Sequence, residues 1–427
     1  MDIIKKLKDK GFFDIFGATV INSFVSFVYG IFIVRVLTKH DYGVFSYTQN
    51  ILNFALNFAS LGMNIGIIQF CTLDKKKQLN DSYTRFAANV QLLAYIPMVL
   101  LILCYVKLDQ SNMDNLLYYT FAFSLLPLLF CMKEWISSIL RYQLKNREYS
   151  IVLNCHSVCN ALFAIIGAYL GGIMGLIIGI YLAYFVSIVV GFRYIKKDVR
   201  AIFSAPRLTG EKRNEFAKFS VTMCVVNALI SVLFMIDIFV IGNILKDADQ
   251  VAMYKTATLI PFALNMVPNA VMTFMYPHVA KNQNNKEWLQ RNLKKLYLYN
   301  GVLNAAIGVA LMICAPVLIY ILFGESYAQS LSIFRVLCLS YIASSVLRTP
   351  SANLLGMLKK TKAALAISVL TVAVSVALGI LFVTKFGIIG AAYGSVLTFL
   401  FVGILSFTYV WYSIRRMKSE KVVSSKL

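Results

Sequence analysis

The sequence predicts an all-α integral membrane protein with about twelve transmembrane helices, arranged as two six-helix lobes around a central cavity. Three observations point there. Of 427 residues, 59% are hydrophobic and only 14% are charged, whereas a soluble domain carries about 25% charged residues. The apolar residues come in runs of roughly 20, the length a helix needs to cross the hydrocarbon layer. The runs do not alternate with period two, which excludes the tilted strands of a membrane barrel. A helix, by contrast, satisfies its own backbone hydrogen bonds in lipid.

The predicted spans lie at 12–37, 43–72, 83–106, 115–141, 149–170, 172–194, 215–243, 250–280, 296–323, 328–350, 362–384 and 387–413. The net charge is +22. Such a balance can signal nucleic-acid binding, but the lysines and arginines sit in the breaks between apolar runs, beside a membrane surface. No nucleic-acid partner is expected. With the N-terminus in the cytoplasm, about 32 of the 41 Lys and Arg flank cytoplasmic ends. Only Lys39, Lys107, Lys246, Lys255 and Lys385 lie toward the outer side. Arg35, Lys133, Arg335 and Arg348 fall within or near the ends of spans. This asymmetry puts both termini inside and requires an even number of spans. Lys5, Lys6, Lys8 and Lys10 lead into an apolar run too long for a cleaved leader, so the first run reads as a retained helix.

The eight cysteines all fall in apolar runs and make no disulfide or paired zinc pattern. Cys155, His156 and Cys159 form a helical cluster that is expected to pack rather than bind metal. No cofactor is expected.

The halves resemble each other. At an offset of 208, Leu37, Asp41, Ile51 and Phe54 match Leu245, Asp249, Leu259 and Phe262. At an offset of 215, Gly172, Gly175 and Gly179 match Gly387, Gly390 and Gly394. This divides the chain into an N-terminal lobe, 1–206, ending in a basic linker, and a C-terminal lobe, 207–427. Six spans per lobe make the repeat parallel, and paired lobes of this kind are a transporter architecture.

Several motifs carry a family resemblance. Val34-Arg35-Val36-Leu37, followed by Asp41-Tyr42-Gly43-Val44-Phe45, resembles the signature ending the first helix of Wzx-type polysaccharide flippases, with Thr38 where that family usually has Gly. Asp237, Ile241-Gly242 and Ala252-Met253-Tyr254 resemble a second family pattern. Tyr276-Pro277, Phe323-Gly324-Glu325-Ser326-Tyr327 and Gly387 to Gly394 resemble others, in order along nearly the whole chain. These flippases belong to the multidrug/oligosaccharidyl-lipid/polysaccharide exporter (MOP) superfamily, with MATE transporters and lipid II flippases. The resemblance implies a MATE-like fold in a bacterial plasma membrane. It implies movement of an undecaprenyl-diphosphate-linked oligosaccharide (an O-antigen, capsule or exopolysaccharide unit) to the outer leaflet by alternating access. It also implies a polysaccharide polymerase and a chain-length regulator as partners.

The candidate cavity residues are charges and amides inside spans. A charge at a helix centre costs about 2.5–3.5 kcal/mol unless it meets a partner or a wet cavity. Asp237 reads as a gate or cation partner, or as one half of an ion pair with Arg35 or Lys255. Lys133 and Glu134 are neighbours on one helix, about 100° apart, and need not pair with each other. Arg35, Arg335 and Arg348 are of the type that holds phosphate oxygens in a bidentate grip, with snorkelling as the alternative for those near span ends. Asn57 and Asn64, seven residues apart, would share a helix face and bind either sugar or a neighbouring helix. Pro261, Pro268 and Pro277 interrupt one span as a hinge or a fixed kink. Residues 286–291 form a basic amphipathic stretch suited to anionic lipid.

No nucleotide-binding loop occurs, so transport is expected to couple to membrane potential or an ion gradient. A MATE-type drug/cation antiporter is the first rival, although it would favour an acidic cavity. A membrane glycosyltransferase or polymerase is the second. Asp247-Ala248-Asp249 mimics a metal-binding Asp-x-Asp, but no domain surrounds it.

Overall fold

The computed structural model describes residues 12–73, 76–111, 113–208, 210–358 and 360–417. Lys5, Lys6, Lys8, Lys10, Lys75 and Lys359 lie outside the described residues. Among the described residues every regular element is helical. The first half of the chain forms α1 (Phe12–Val36), α2 (Lys39–Ala59), α3 (Met63–Leu73), α4 (Lys77–Leu108), α5 (Leu116–Ala122), α6 (Leu126–Tyr142) and α7 (Asn146–Ser204). Next come α8 (Gly210–Leu245), α9 (Ala248–Leu264), α10 (Met266–Lys281) and α11 (Lys286–Phe323). The chain closes with α12 (Ser330–Ala343), a π turn (Ser344–Arg348), α13 (Thr349–Met357), α14 (Thr361–Phe386) and α15 (Ile388–Arg415).

Nine helical segments among the described residues are long and apolar enough to cross a membrane. One of them, α7, runs for 59 residues but is non-helical at Gly171 and Gly172, so it comprises two rods. These match the expected runs at 149–170 and 172–194. Two shorter apolar stretches, Ile21–Val36 and Met235–Leu245, lie in α1 and α8.

Three expected single spans are broken helices. The run 43–72 is cut between α2 and α3, where Leu61 (φ 46°) and Gly62 (φ 72°) turn left-handed. A side chain at Gly62 would collide with the Ser220 carbonyl, so α8 packs directly on the break. The run 115–141 is cut before Pro127, which stands in the first turn of α6. The run 250–280 is cut at Asn265, just ahead of Pro268. In the last two cases proline occupies the first helical turn, where its missing N–H costs nothing.

The described chain divides into two compact units. One holds the residues up to Met235 with Lys246–Ala252, and the other holds Ile236–Leu245 with everything from Met253 onward. The stretch of α8 up to Met235 packs within the first unit. Amides fasten it there: Asn50 Nδ2 donates to the Met235 carbonyl at 2.9 Å, and Ser231 Oγ donates to Asn57 Oδ1 at 2.8 Å. Such polar contacts between helices replace the hydrophobic drive that lipid removes. Thr38, the departure from the resembling motif, caps α2: its Oγ1 accepts from the Asp41 N–H at 3.1 Å and donates to Asp41 Oδ2 at 2.8 Å.

Candidate functional site

In the second unit, Asp237 on α8 lies in an otherwise apolar segment. Its Oδ2 accepts two hydrogen bonds, from Tyr254 of α9 at 2.5 Å and from Ser395 of α15 at 2.7 Å. Both donors are buried. One carboxylate oxygen therefore ties three helices, while Oδ1 accepts no hydrogen bond among the described residues. The alternative of an ion pair with Lys255 is not found among the described residues. Lys255 lies on α9, one residue past Tyr254, where no carboxylate approaches it within the described chain. Hydroxyl donors, rather than a cation, hold Asp237.

A polar ladder runs between α11 and α12. Tyr341 donates to Asn304 Oδ1 at 2.5 Å, Asn304 Nδ2 donates to Asn300 Oδ1 at 3.0 Å, and Asn300 Nδ2 donates to the Ser345 carbonyl at 2.8 Å. Ser345 belongs to the π turn, which opens the regular hydrogen-bond pattern and leaves that carbonyl for a side chain. At the end of the turn, Arg348 donates to Ser344 Oγ at 3.2 Å and lies 4.8 Å over the Phe399 ring. Arg335, on α12, is exposed and forms no ion pair among the described residues.

In the first unit, Lys133 is 7% exposed and pairs with Glu134 at 2.8 Å. Neighbours 100° apart on a helix need not meet, but these do, because both side chains are long enough to reach round. The Lys133 ammonium also lies 5.8 Å from the Tyr184 ring, and the His156 ring packs against the same tyrosine at 4.4 Å. Cys155 and Cys159 sit side by side at 4.0 Å. Among the described residues no group of three His, Cys, Asp or Glu is placed to hold a metal.

The remaining candidates separate. Asn57 and Asn64 do not share a face, because the left-handed break at Leu61–Gly62 puts them on different helices. Asn57 bonds α8, and Asn64 accepts from Gln91 of α4 at 2.9 Å. Both amides thus bind neighbouring helices. Arg35 is exposed in the last turn of α1. Pro261 lies inside α9, Pro268 in the first turn of α10, and Pro277 further along α10 with its side chain outside those described. The Asp-x-Asp is a helix cap: Asp247 Oδ1 accepts from the Asp249 N–H at 2.8 Å, while Asp249 pairs with Lys39 at 3.6 Å.

The sequence reading missed Tyr254 and Ser395 as partners of Asp237, and Tyr184 beside Lys133. Tyr254 closes one of the quoted motifs and Ser395 directly follows another. Tyr184 carries no such signal.

The family of polysaccharide biosynthesis proteins matches residues 32–332. The chain belongs to this family. Over 279 residues, 64% of its length, this polysaccharide biosynthesis protein is 25% identical to a candidate O-antigen transporter of Shigella flexneri. The match spans 65% of that relative, just under two thirds of its length. Among solved structures, a MATE family multidrug-resistance transporter of the MOP superfamily, inward-facing, is similar with a TM-score of 0.80 and 14% identity, over 94% of this chain and 96% of that one. The lipid II flippase MurJ, inward closed, is similar with a TM-score of 0.72 and 16% identity, over 93% and 86%. The polysaccharide biosynthesis protein is thus an integral membrane protein with the fold of MOP-superfamily transporters.

Proposed function

We propose that the chain is a flippase that carries an undecaprenyl-diphosphate-linked oligosaccharide from the cytoplasmic to the outer leaflet of a bacterial plasma membrane. Membership of the polysaccharide biosynthesis family, with a candidate O-antigen transporter among its relatives, carries the reading. In this reading the helices make twelve crossings with both termini in the cytoplasm, and the two six-helix halves alternate access. A polymerase and a chain-length regulator act on the delivered unit.

The placement of charge supports an anionic cargo. Lys255 and Arg335 lie in apolar helices without an ion pair among the described residues, and the second unit's apolar core offers Asp237 as their counterweight. A diphosphate head needs such cations when it leaves water. A drug/cation antiporter would need the opposite balance. An outward-moving diphosphate also gains roughly 2.3 kcal/mol per charge per 100 mV of inside-negative potential, which makes potential or ion coupling the energy source.

Deleting the chain and labelling lipid-linked oligosaccharide by leaflet tests the reading. The intermediate should accumulate on the inner leaflet, and normal outer display would overturn the proposal. Proteoliposome flipping with and without an imposed potential tests the coupling, which equal rates would remove. Sugar transfer by the purified protein would instead favour an enzyme.

A further inference from the structure

Helices α11, α12 and α15 of the second unit enclose a groove of about 600 Å³. Tyr297, Gly301, Ala305, Leu339, Ala343 and Leu400 are among its lining residues. The hydrogen-bonding groups next to them in sequence are used elsewhere, since Asn300, Asn304, Tyr341 and Ser345 bond one another in the ladder. The groove wall is therefore apolar although polar residues alternate along both helices. Small side chains hold it open. At Gly308 the helices touch, and a side chain there would collide with Ile342. Beyond that contact, Gly301, Ala305 and Ala343 leave the space unfilled.

Arg335 marks one end. It precedes Leu339, Ile342 and Val346 by 4, 7 and 11 residues, the spacing of a single helix face. It is exposed and without an ion pair among the described residues. From Ser330, where α12 begins, Arg335 is about 8 Å along the axis, and from Arg335 to Leu347 is about 18 Å. The groove's lining on this side begins at Leu339, about one turn past Arg335, and runs about 12 Å to Leu347. A cation about one helical turn beyond the end of an apolar groove is complementary to a phosphate carrying a single long chain.

We propose that this groove seats the polyprenyl chain of the lipid-linked substrate, with Arg335 receiving its phosphate. The inference rests on the flippase reading. A single channel floored by small residues suits one methyl-branched chain, whereas a membrane phospholipid brings two.

The test uses the full chain in nanodiscs with two probes. One is geranylgeranyl diphosphate bearing a terminal benzophenone, and the other is phosphatidylglycerol bearing benzophenone on an acyl chain. The diphosphate probe should label α11 and α12, and undecaprenyl diphosphate should compete it away. Ala305→Phe should cut labelling at least about tenfold, and Arg335→Gln should weaken the competitor about tenfold, with Arg335→Lys partly retained. Ala343→Leu serves if Ala305→Phe fails to fold. Equal labelling by the phospholipid probe, or full diphosphate labelling in the filled variants, overturns the groove assignment. Flipping with no groove labelling overturns the groove alone. Groove labelling with no flipping overturns the transport reading.

Discussion

Gly172 and Gly387, 215 positions apart in the chain, hold the same backbone conformation, φ 56°, ψ −139° and φ 63°, ψ −146°. The likeness continues along both hairpins. A side chain on Gly175 would strike the Gly167 carbonyl, and one on Gly390 would strike the Phe382 carbonyl. Gly179 meets Phe163, and Gly394 meets Leu378. Every pair is shifted by the same offset, so the internal repeat is a repeat of helix contacts and not of glycine content alone.

The glycines separate two kinds of cost. At Gly172 and Gly387 an added methyl group has open space, so Gly→Ala there exacts only backbone strain, about 1–3 kcal/mol. At Gly175 and Gly390 the methyl group meets backbone. Thermal unfolding in detergent should therefore rank Gly175→Ala and Gly390→Ala as more damaging. Equal midpoints would contradict the contact assignment.

Asp237→Asn keeps an oxygen for Tyr254 and Ser395 while removing the charge. It should fold with a midpoint close to the parent yet lose transport at least about tenfold. Tyr254→Phe deletes a hydrogen bond to a charged acceptor and should cost about 1.5–3 kcal/mol of stability. Full flipping by Asp237→Asn would reduce the carboxylate to a structural tie.

Glu134→Ala leaves the Lys133 ammonium buried without its carboxylate. This should destabilise the protein more than Lys133→Met, which removes the buried charge itself. The double change Lys133→Met/Glu134→Ala should recover part of the loss, because removing both charges of an internal ion pair is often close to neutral. A denaturation series on the four proteins measures the coupling, and strict additivity would mean that the 2.8 Å pair contributes nothing.

Tyr341→Phe removes the end of the ladder. Hydrogen bonds between membrane helices average about 0.6 kcal/mol in double-mutant cycles. Tyr341→Phe combined with Asn304→Ala should show a coupling of that order or larger, since the two atoms are 2.5 Å apart. Zero coupling would remove the ladder as a determinant of the α11–α12 contact.

Pro268→Ala restores a donor for the Leu264 carbonyl next to the break at Asn265. If the break is a working hinge, transport should slow severalfold while binding of a diphosphate lipid stays unchanged. An unaltered rate would make it a fixed kink.

Helical class and family were legible in the sequence because apolar run length and motif order survive without any three-dimensional information. The breaks were less so. Leu61 gives no hint of a left-handed turn, and only its contact with α8 makes Gly62 obligatory. Asn57 and Asn64 looked like one face because spacing assumes an unbroken helix. Lys133 and Glu134 were visible as charges, but Tyr184 became their neighbour only through the fold of α7. Asp237 was visible too, whereas Ser395, far along the chain, was brought to it by α15.

The π turn at Ser344–Arg348 amounts to a one-residue insertion absorbed inside a helix. A relative with a regular helix there would present the residue after that point about 100° further round. Aligning the two column by column would then equate Arg348 with a side chain on another face. A gap placed within the turn keeps Arg348 in register with Phe399, so the position of that gap decides whether a basic residue in a relative is the same residue.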